Sequence, residues 1–235
     1  MTIAENVARI RAEMAQAARA AGCDPGEITL VAASKMNDAA RVREAIEAGV
    51  DACGENRVQE MLEKQAQGAY EGVPLHFIGH LQKNKVKQVV GLATLIHSVD
   101  SLALLAAIDR EAEKRGLRQE VLLEVNVGGE ATKSGFAPGE VAEAISSAAN
   151  FSHICVRGLM CIPPAGRSSE ENRLNFTKMK QHFIDNSEKK YDNVYMDFLS
   201  MGMSGDFSDA IACGANIIRV GSAIFGPRPY QTTET

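Results

Sequence analysis

One lysine follows the first strongly apolar run of the sequence, and this position suggests nucleophilic chemistry. Lys35 comes directly after residues 30–34 (LVAAS). A lysine at the mouth of a buried strand is partly desolvated, which disfavours the ammonium form and lowers its pKa from about 10.4. The neutral amine could then attack a carbonyl carbon and form a Schiff base. The alternative, a solvated lysine in a loop, stays open on position alone.

Two later stretches combine small residues with hydroxyl groups where a strand is expected to give way to a helix. They are residues 199–206 (LSMGMSGD) and 219–222 (RVGS). Small residues let backbone amides approach a ligand, and a helix start offers unpaired N–H donors to an anion. Together the two turns could hold a phosphate group, although each alone could be an ordinary capped turn. The positions concerned are Ser200, Gly202, Ser204, Gly221 and Ser222.

Arg219 is the first charge in a strand that otherwise consists of core residues. It is therefore either paired with a buried acid or directed at a ligand. A nucleophilic lysine combined with a phosphate cup suggests pyridoxal 5′-phosphate (PLP), which needs both. Sugar-phosphate aldolases combine the same features, but their lysine usually comes from a middle strand, whereas Lys35 follows the first.

Other chemistries have little support. The sequence contains no GxGxxG with a distal acid, no GxxxxGK[ST] and no GxSxG. The five cysteines are scattered without a Cys-x-x-Cys pair, so neither a disulfide framework nor a structural zinc site is expected. His76 and His80 straddle a strand end and a turn, without the geometry of a metal site. Cys53 and Cys161 lie near strand ends and could be mildly reactive, but we interpret them as small buried hydrophobes.

Composition limits the class of protein. The chain has 235 residues, of which 45% are hydrophobic and 23% charged, so it can bury a substantial core. Its net charge of −5, with dense basic residues only at 83–87, argues against a nucleic-acid partner. The longest uncharged stretch, residues 144–156, is too short and too polar to span a membrane. Since the amino terminus lacks the features of a secretion signal, we expect a cytoplasmic protein.

Hydrophobic periodicity predicts helices alternating with strands. A first helix carries one apolar stripe from Ile3 to Ala17, and Thr2 with Glu5 has the spacing of a capping box. Strand-like runs lie at 28–33, 50–53, 75–79, 94–98, 120–126, 153–158, 194–200 and 216–220. Helical patterns lie between them at about 38–48, 56–66, 82–89, 101–115, 138–148, 168–186 and 204–213.

Eight strands separated by helices imply parallel pairing with right-handed crossovers. So many units in one chain favour an α/β fold, a single (β/α)8 TIM barrel with an extra N-terminal helix, over an open doubly wound sheet. No linker or composition shift divides residues 1–235, so we expect one domain. In such a barrel the site lies where the strands end, which would bring Lys35, Arg219 and the two small-residue turns together.

These motifs together resemble the pyridoxal phosphate homeostasis protein family, the small fold-type III PLP-binding proteins. The similarity runs from the first strand to residues 225–226. Arg57, where an aromatic residue is frequent, and Asn216, where Ser or Thr is usual, depart from the pattern at the periphery. The matching motifs are VAASK at 31–35, GENRVQE at 54–60, HFIGHLQKNK at 76–85, Val125-Asn126 with Glu130, Lys133 and Gly135, GLM at 158–160, LSMGMSGD at 199–206 and RVGSAIFG at 219–226.

The resemblance implies a fold like the N-terminal domain of alanine racemase and a covalent aldimine between PLP and Lys35. Because arginine can only donate, Arg219 would leave the pyridine nitrogen unprotonated and weaken carbanion stabilisation. The implied binding residues are Ser200, Ser204, Gly221 and Ser222 for the phosphate, Arg219 for the pyridine nitrogen, and Asn56, His80 and Met201 along the pocket. No metal and no catalytic residue is implied.

The resemblance also implies a function: binding PLP for intracellular PLP homeostasis and cofactor supply, without catalytic turnover. The protein would be a monomer that contacts PLP-dependent apoenzymes transiently. The alternative is a PLP-dependent amino-acid racemase or decarboxylase, which needs acid–base groups on both faces of the cofactor. Lys35 could serve one face, with Tyr230 or His80 on the other; we expect no second domain to supply a partner group. Lys133 is interpreted as a solvated loop lysine, with a secondary PLP contact as the alternative.

Overall fold

A computed structural model of the protein describes residues 1–130, 133–164, 166, 168–189 and 191–226. Its eight strands are β1 (Thr29–Ala33), β2 (Ala52–Glu55), β3 (Leu75–Phe77), β4 (Leu95–Val99), β5 (Gln119–Glu124), β6 (Ile154–Met160), β7 (Val194–Ser200) and β8 (Ile217–Val220). All pairs are parallel, each strand pairs with the next in the chain, and β8 pairs with β1 to close the barrel. The predicted (β/α)8 barrel is confirmed.

Helices lie on the outside of the barrel. They are α1 (Ile3–Ala20), α2 (Ala39–Glu47), α3 (Val58–Gln65), α4 (Val86–Val89), α5 (Leu102–Lys114), α6 (Val141–Ala148), α7 (Ser169–Ser187), α8 (Phe207–Ala212) and α9 (Ser222–Phe225). Helices α2 to α8 connect successive strands, α1 precedes β1 and α9 follows β8. Short 3-10 turns occupy Pro25–Glu27, Lys83–Lys85 and Pro138–Glu140. No helix in the described part of the chain has the length and apolar character needed to cross a bilayer.

The extra helix α1 begins with the predicted capping box. The Thr2 amide donates to Glu5 Oε2 at 2.8 Å, and the Glu5 amide donates to Thr2 Oγ1 at 3.2 Å, which satisfies two donors that a helix start leaves unpaired. The buried stripe packs on α8 and α9. Asn6 Nδ2 donates to the Ile224 carbonyl at 2.9 Å, so α1 supports the short helix after β8.

The helices predicted at about 38–48 and 204–213 end just before glycines with a left-handed backbone. Gly49 after α2 has φ of 94° and Gly214 after α8 has φ of 92°, a conformation that costs other residues energy. β2 begins at Ala52, two residues after the predicted start at Val50. Val50 is buried, but it lies in the connection between α2 and β2, so its hydrophobicity placed the strand too early.

Inward-facing side chains fill the barrel with an apolar layer made by Val31, Ala52, Leu95, Leu122, Met160 and Ile217. Strand side chains alternate between faces, so the residue two positions further along each strand also points inward, one layer nearer the carboxyl ends. On β4, β5 and β8 those residues are His97, Glu124 and Arg219. Polar groups therefore lie directly above an apolar floor.

Candidate functional site

A cavity of about 810 Å³ opens at the carboxyl ends of β1 and β8. The turn after β1 forms one wall, and the turns after β7 and β8 form the other. Five of the residues predicted from separate parts of the sequence line it together: Lys35, Ser204, Arg219, Gly221 and Ser222. The neighbouring α2 adds Arg41 to the same wall.

The turn that carries Lys35 has an uncommon backbone conformation. Met36 has φ of 61°, in the left-handed region, a conformation that costs a residue with a side chain roughly 1–2 kcal/mol. Side-chain hydrogen bonds help to hold the turn: the Met36 amide donates to Glu60 Oε2 at 2.7 Å, and Asn37 Nδ2 donates to the Lys35 carbonyl at 3.0 Å. The surrounding structure therefore fixes the direction of the half-buried Lys35.

A buried ionic network lies behind this turn. Glu55 is fully buried, and its Oε1 accepts from Ser34 Oγ at 2.5 Å, Lys64 Nζ at 2.7 Å and Tyr70 Oη at 3.0 Å. Lys64 Nζ also donates to the Ser34 carbonyl at 2.8 Å. Burial, followed by the Glu55 charge, raises the pKa of the Tyr70 phenol, so it stays neutral and donates. The network thus anchors the residue immediately before Lys35.

Arg219 lies at the inner wall of the cavity and is only 4% exposed. Its Nη1 donates to Ser200 Oγ, and its Nη2 donates to the Cys161 carbonyl at 2.9 Å. Burial lowers the pKa of the guanidinium, but an arginine stays charged in proteins. Both hydrogen-bond partners are neutral oxygens, which favours the interpretation that Arg219 is directed at a ligand.

The hydrogen bonds continue beyond Arg219. Ser200 Oγ lies 3.0 Å from His97 Nδ1, and His97 Nε2 lies 3.0 Å from His76 Nδ1. Burial lowers the pKa of His76 to about 4 and that of His97 well below its usual range, so both rings are neutral at pH 7. Sequence reasoning assigned no role to this pair. The signal in the sequence was that His97 lies two positions after Leu95 in the same strand, so both side chains point to the same face.

The two small-residue turns meet through the Ser204 hydroxyl. Ser204 Oγ accepts from the Gly221 amide at 3.2 Å and the Ala223 amide at 3.3 Å. Ser204 therefore joins the start of α9, whereas α8 begins later with Asp206 at its N-cap position. A Cβ at position 221 would lie 3.2 Å from the Ala33 carbonyl oxygen, which is tighter than most side chains tolerate. The cup is thus shaped for a small residue beside hydroxyl and amide donors.

Four of the binding residues that the resemblance implied do not border this cavity, and neither does Gly202 of the first small-residue turn. Ser200 and Met201 are fully buried, Ser200 behind Arg219 and Met201 in the core. Asn56 has a buried Oδ1 that accepts no hydrogen bond from the described residues. The His80 side chain is 57% exposed, beside a second cavity of about 500 Å³, with Nδ1 3.2 Å from Asp100 Oδ2.

Glu124 is a further polar residue at the barrel mouth that sequence reasoning missed. It is 8% exposed, and its carboxylate makes no hydrogen bond within the described ranges. Burial, followed by the negative charge of Asp100, raises its pKa to about 6, while Arg219 and His80 act in the opposite direction. Its inward position two residues after Leu122 depends on the register of β5, which the amino-acid pattern alone does not specify.

The buried cysteines are not reactive groups of this site. Burial is the main cause that raises the pKa of Cys53 and of Cys161 to about 12. Since the thiolate is the reactive form, both behave as small hydrophobes, in agreement with the sequence interpretation.

Comparison with known proteins gives consistent matches along the chain. Residues 3–229 match the family described as alanine racemase, N-terminal domain. The pyridoxal phosphate homeostasis protein of Pseudomonas aeruginosa is 39% identical over 229 residues, which cover 97% of each chain. That of Aquifex aeolicus is 40% identical over 230 residues, 98% of this chain and 100% of the relative. The structure of PipY from Synechococcus elongatus with PLP bound has a TM-score of 0.83 and 33% identity, covering 96% of this chain and 100% of PipY.

Proposed function

Because the chain belongs to the pyridoxal phosphate homeostasis protein family, we propose that it binds PLP at the carboxyl ends of β1 and β8 and acts in PLP homeostasis and cofactor supply. PipY, with the same fold, holds PLP in its structure. The observation that carries the proposal for this chain is the meeting of Lys35, Arg219 and the Ser204–Gly221 cup around one cavity of about 810 Å³.

The residues around the cavity fit the chemical groups of PLP. PLP would supply an aldehyde, and Lys35 would hold it through its side-chain amine. Ser204 and Ser222 offer hydroxyl donors to its phosphate, and the Gly221 amide, which donates to Ser204 Oγ in this structure, lies beside them. Arg219 offers N–H donors, which suit an unprotonated ring nitrogen.

The same donors favour binding over turnover. A permanently charged Arg219 can only donate to the ring nitrogen and cannot accept a hydrogen bond from a protonated one, so the ring nitrogen would stay unprotonated and the ring would be a weak acceptor of electrons. Among the described residues, the cavity also opens to solvent between Met36, which is 49% exposed, and Met203, which is 37% exposed. An open cavity suits loading and release of the cofactor, whereas controlled carbanion chemistry requires exclusion of water.

Racemisation would need a second acid–base group opposite Lys35. Tyr70 is buried against Glu55 and is not available for this role. His80 is exposed and lies against Asp100 beside the second cavity. Tyr230, the other candidate from the sequence, lies outside the described residues. We therefore propose that PLP binding is not coupled to turnover.

The proposal extends to the setting in which the protein works. We infer that residues 1–235 form one domain that acts as a monomer in the cytoplasm and passes PLP on through transient contacts with apoenzymes. Analytical ultracentrifugation with and without PLP tests whether the protein is a monomer. Incubation of the PLP-loaded protein with a separate PLP-dependent apoenzyme tests the supply role, measured as the activity that the apoenzyme regains. Reactivation no faster than with the same concentration of free PLP would contradict it.

Trapping with borohydride tests the binding site itself. Purified protein incubated with PLP should be yellow, and reduction followed by peptide mass analysis should locate the modification on Lys35. Lys35→Ala should lose the absorption band, while Lys85→Ala, at an exposed lysine of the same barrel end, should retain it. A band that persists in Lys35→Ala would refute the assignment. Lys35-dependent formation of D-amino acid from L-amino acid would overturn the absence of turnover.

A further inference from the structure

The polar groups behind Arg219 form a continuous line through the inside of the barrel. It runs from Arg219 on β8 to Ser200 on β7, then to His97 on β4 and His76 on β3. All four residues are buried, and Ser200 and His97 are completely so. Polar groups in such surroundings are costly unless each hydrogen bond is made, so the arrangement constrains every proton in the line.

The direction of these hydrogen bonds follows from Arg219. A guanidinium can only donate, so Ser200 Oγ must accept from Arg219 Nη1. The Ser200 hydroxyl proton then finds its acceptor in His97 Nδ1, 3.0 Å away. With Nδ1 accepting, the neutral His97 carries its proton on Nε2 and donates it to His76 Nδ1.

The opposite direction would leave a buried donor unpaired. If His97 Nδ1 carried the proton, Ser200 Oγ would accept from both neighbours, and its own hydroxyl proton would have no acceptor in the line. An unpaired buried donor costs more than a single hydrogen bond contributes. Both histidines are therefore held in the form with the proton on Nε2.

We propose that His76 and His97 are positioning residues that orient Arg219 toward the ring nitrogen of PLP. This inference rests on the proposed function. Arg219 has five N–H donors, and the bonds to Ser200 and Cys161 occupy two of them from behind. Because the guanidinium is planar, these two bonds fix the direction of the donors that remain at the cavity.

Removing the acceptor at position 97 should release Arg219. In His97→Leu the Ser200 hydroxyl loses its acceptor and can rotate away from the geometry that supports Arg219. We expect PLP affinity to fall about tenfold, the size of one lost hydrogen bond to a charged group, and the absorption maximum of bound PLP to shift. His97→Asn keeps an acceptor toward Ser200 and should restore most of both. His182→Leu, at a histidine on α7 outside the barrel, is the control.

Nitrogen-15 NMR of the histidine rings in PLP-free full-length protein tests the line directly. We expect unprotonated Nδ1 and protonated Nε2 in both His76 and His97; a proton on His97 Nδ1 would overturn the inference. PLP titration of the variants tests the effect on the cofactor. Wild-type affinity and an unshifted spectrum in His97→Leu would refute the inference while leaving the proposed function intact. A wild-type protein that forms no Lys35 adduct would instead refute the proposed function.

Discussion

Replacing Glu124 with Gln is expected to stabilise the protein above pH 6. The Glu124 carboxyl is 8% exposed, and burial followed by the charge of Asp100 raises its pKa from 4.5 to about 6. A raised pKa means that the folded state holds the proton more tightly than the unfolded state does. The charged form of Glu124 therefore opposes folding, and the isosteric amide removes this charge.

The size of the effect follows from the shift. One pKa unit corresponds to about 1.4 kcal/mol, so the change from 4.5 to about 6 corresponds to about 2 kcal/mol of unfolding free energy. The contribution of Glu124 to stability is fully present below pH 4.5 and is lost as the pH rises through 6. Glu124→Gln should thus be about 2 kcal/mol more stable than wild type at pH 7.5 and nearly equal to it near pH 4.5.

Urea denaturation of PLP-free full-length protein at several pH values between 4.5 and 7.5 measures this difference. Glu143→Gln, at an exposed position on α6, is the matched control and should change the unfolding free energy by less than about 0.5 kcal/mol. A difference between wild type and Glu124→Gln that does not vary with pH would refute the reasoning. So would destabilisation by Glu124→Gln at pH 7.5, which would show that the carboxylate is paired.

Three further substitutions test the groups around the cavity. Lys64→Met leaves Glu55 buried without its cation and should lower the unfolding free energy by about 3–5 kcal/mol. The double variant Lys64→Met with Glu55→Gln should recover much of this loss. An unchanged urea midpoint in the single variant would contradict the reasoning. Ser204→Ala should weaken PLP binding about tenfold but leave pyridoxal, which lacks the phosphate, unaffected; equal losses for both ligands would disprove the phosphate contact. Arg219→Gln should shift the absorption of bound PLP or weaken its binding, without abolishing borohydride trapping at Lys35; no change in either would exclude a contact with the ring.

The sequence predicted the elements of the barrel because their signals are local. The capping box of Thr2 and Glu5 acts within a few residues, and apolar runs identify the strands of a parallel sheet whose two faces are both buried. The boundary error at β2 shows the limit of this signal, since Val50 is buried without belonging to a strand. Lys35 and Arg219 could be selected because each is a charge beside an apolar run.

The remaining features depend on pairing between distant parts of the chain. The Ser204 hydroxyl was interpreted either as a cap for the following helix or as part of the phosphate cup, and only the folded barrel shows it on the amides of Gly221 and Ala223. Likewise, 21 residues separate His76 from His97 and 103 separate His97 from Ser200, so no local pattern indicates their contact. Such contacts follow from strand order and register, which the sequence does not display.

Two separate networks support the two ends of the proposed cofactor site. Glu55, Lys64 and Tyr70 hold the turn of Lys35, and His97 holds Arg219 through Ser200.

Because the networks share no residue, damage to one should not alter the effect of damage to the other. Tyr70→Phe, which removes one hydrogen bond to Glu55, and His97→Leu should therefore change the free energy of PLP binding additively, within about 0.5 kcal/mol. Titration of wild type, both single variants and the double variant measures the coupling. A coupling above about 1 kcal/mol would mean that the two walls move together, and that the cavity responds to the cofactor as one unit.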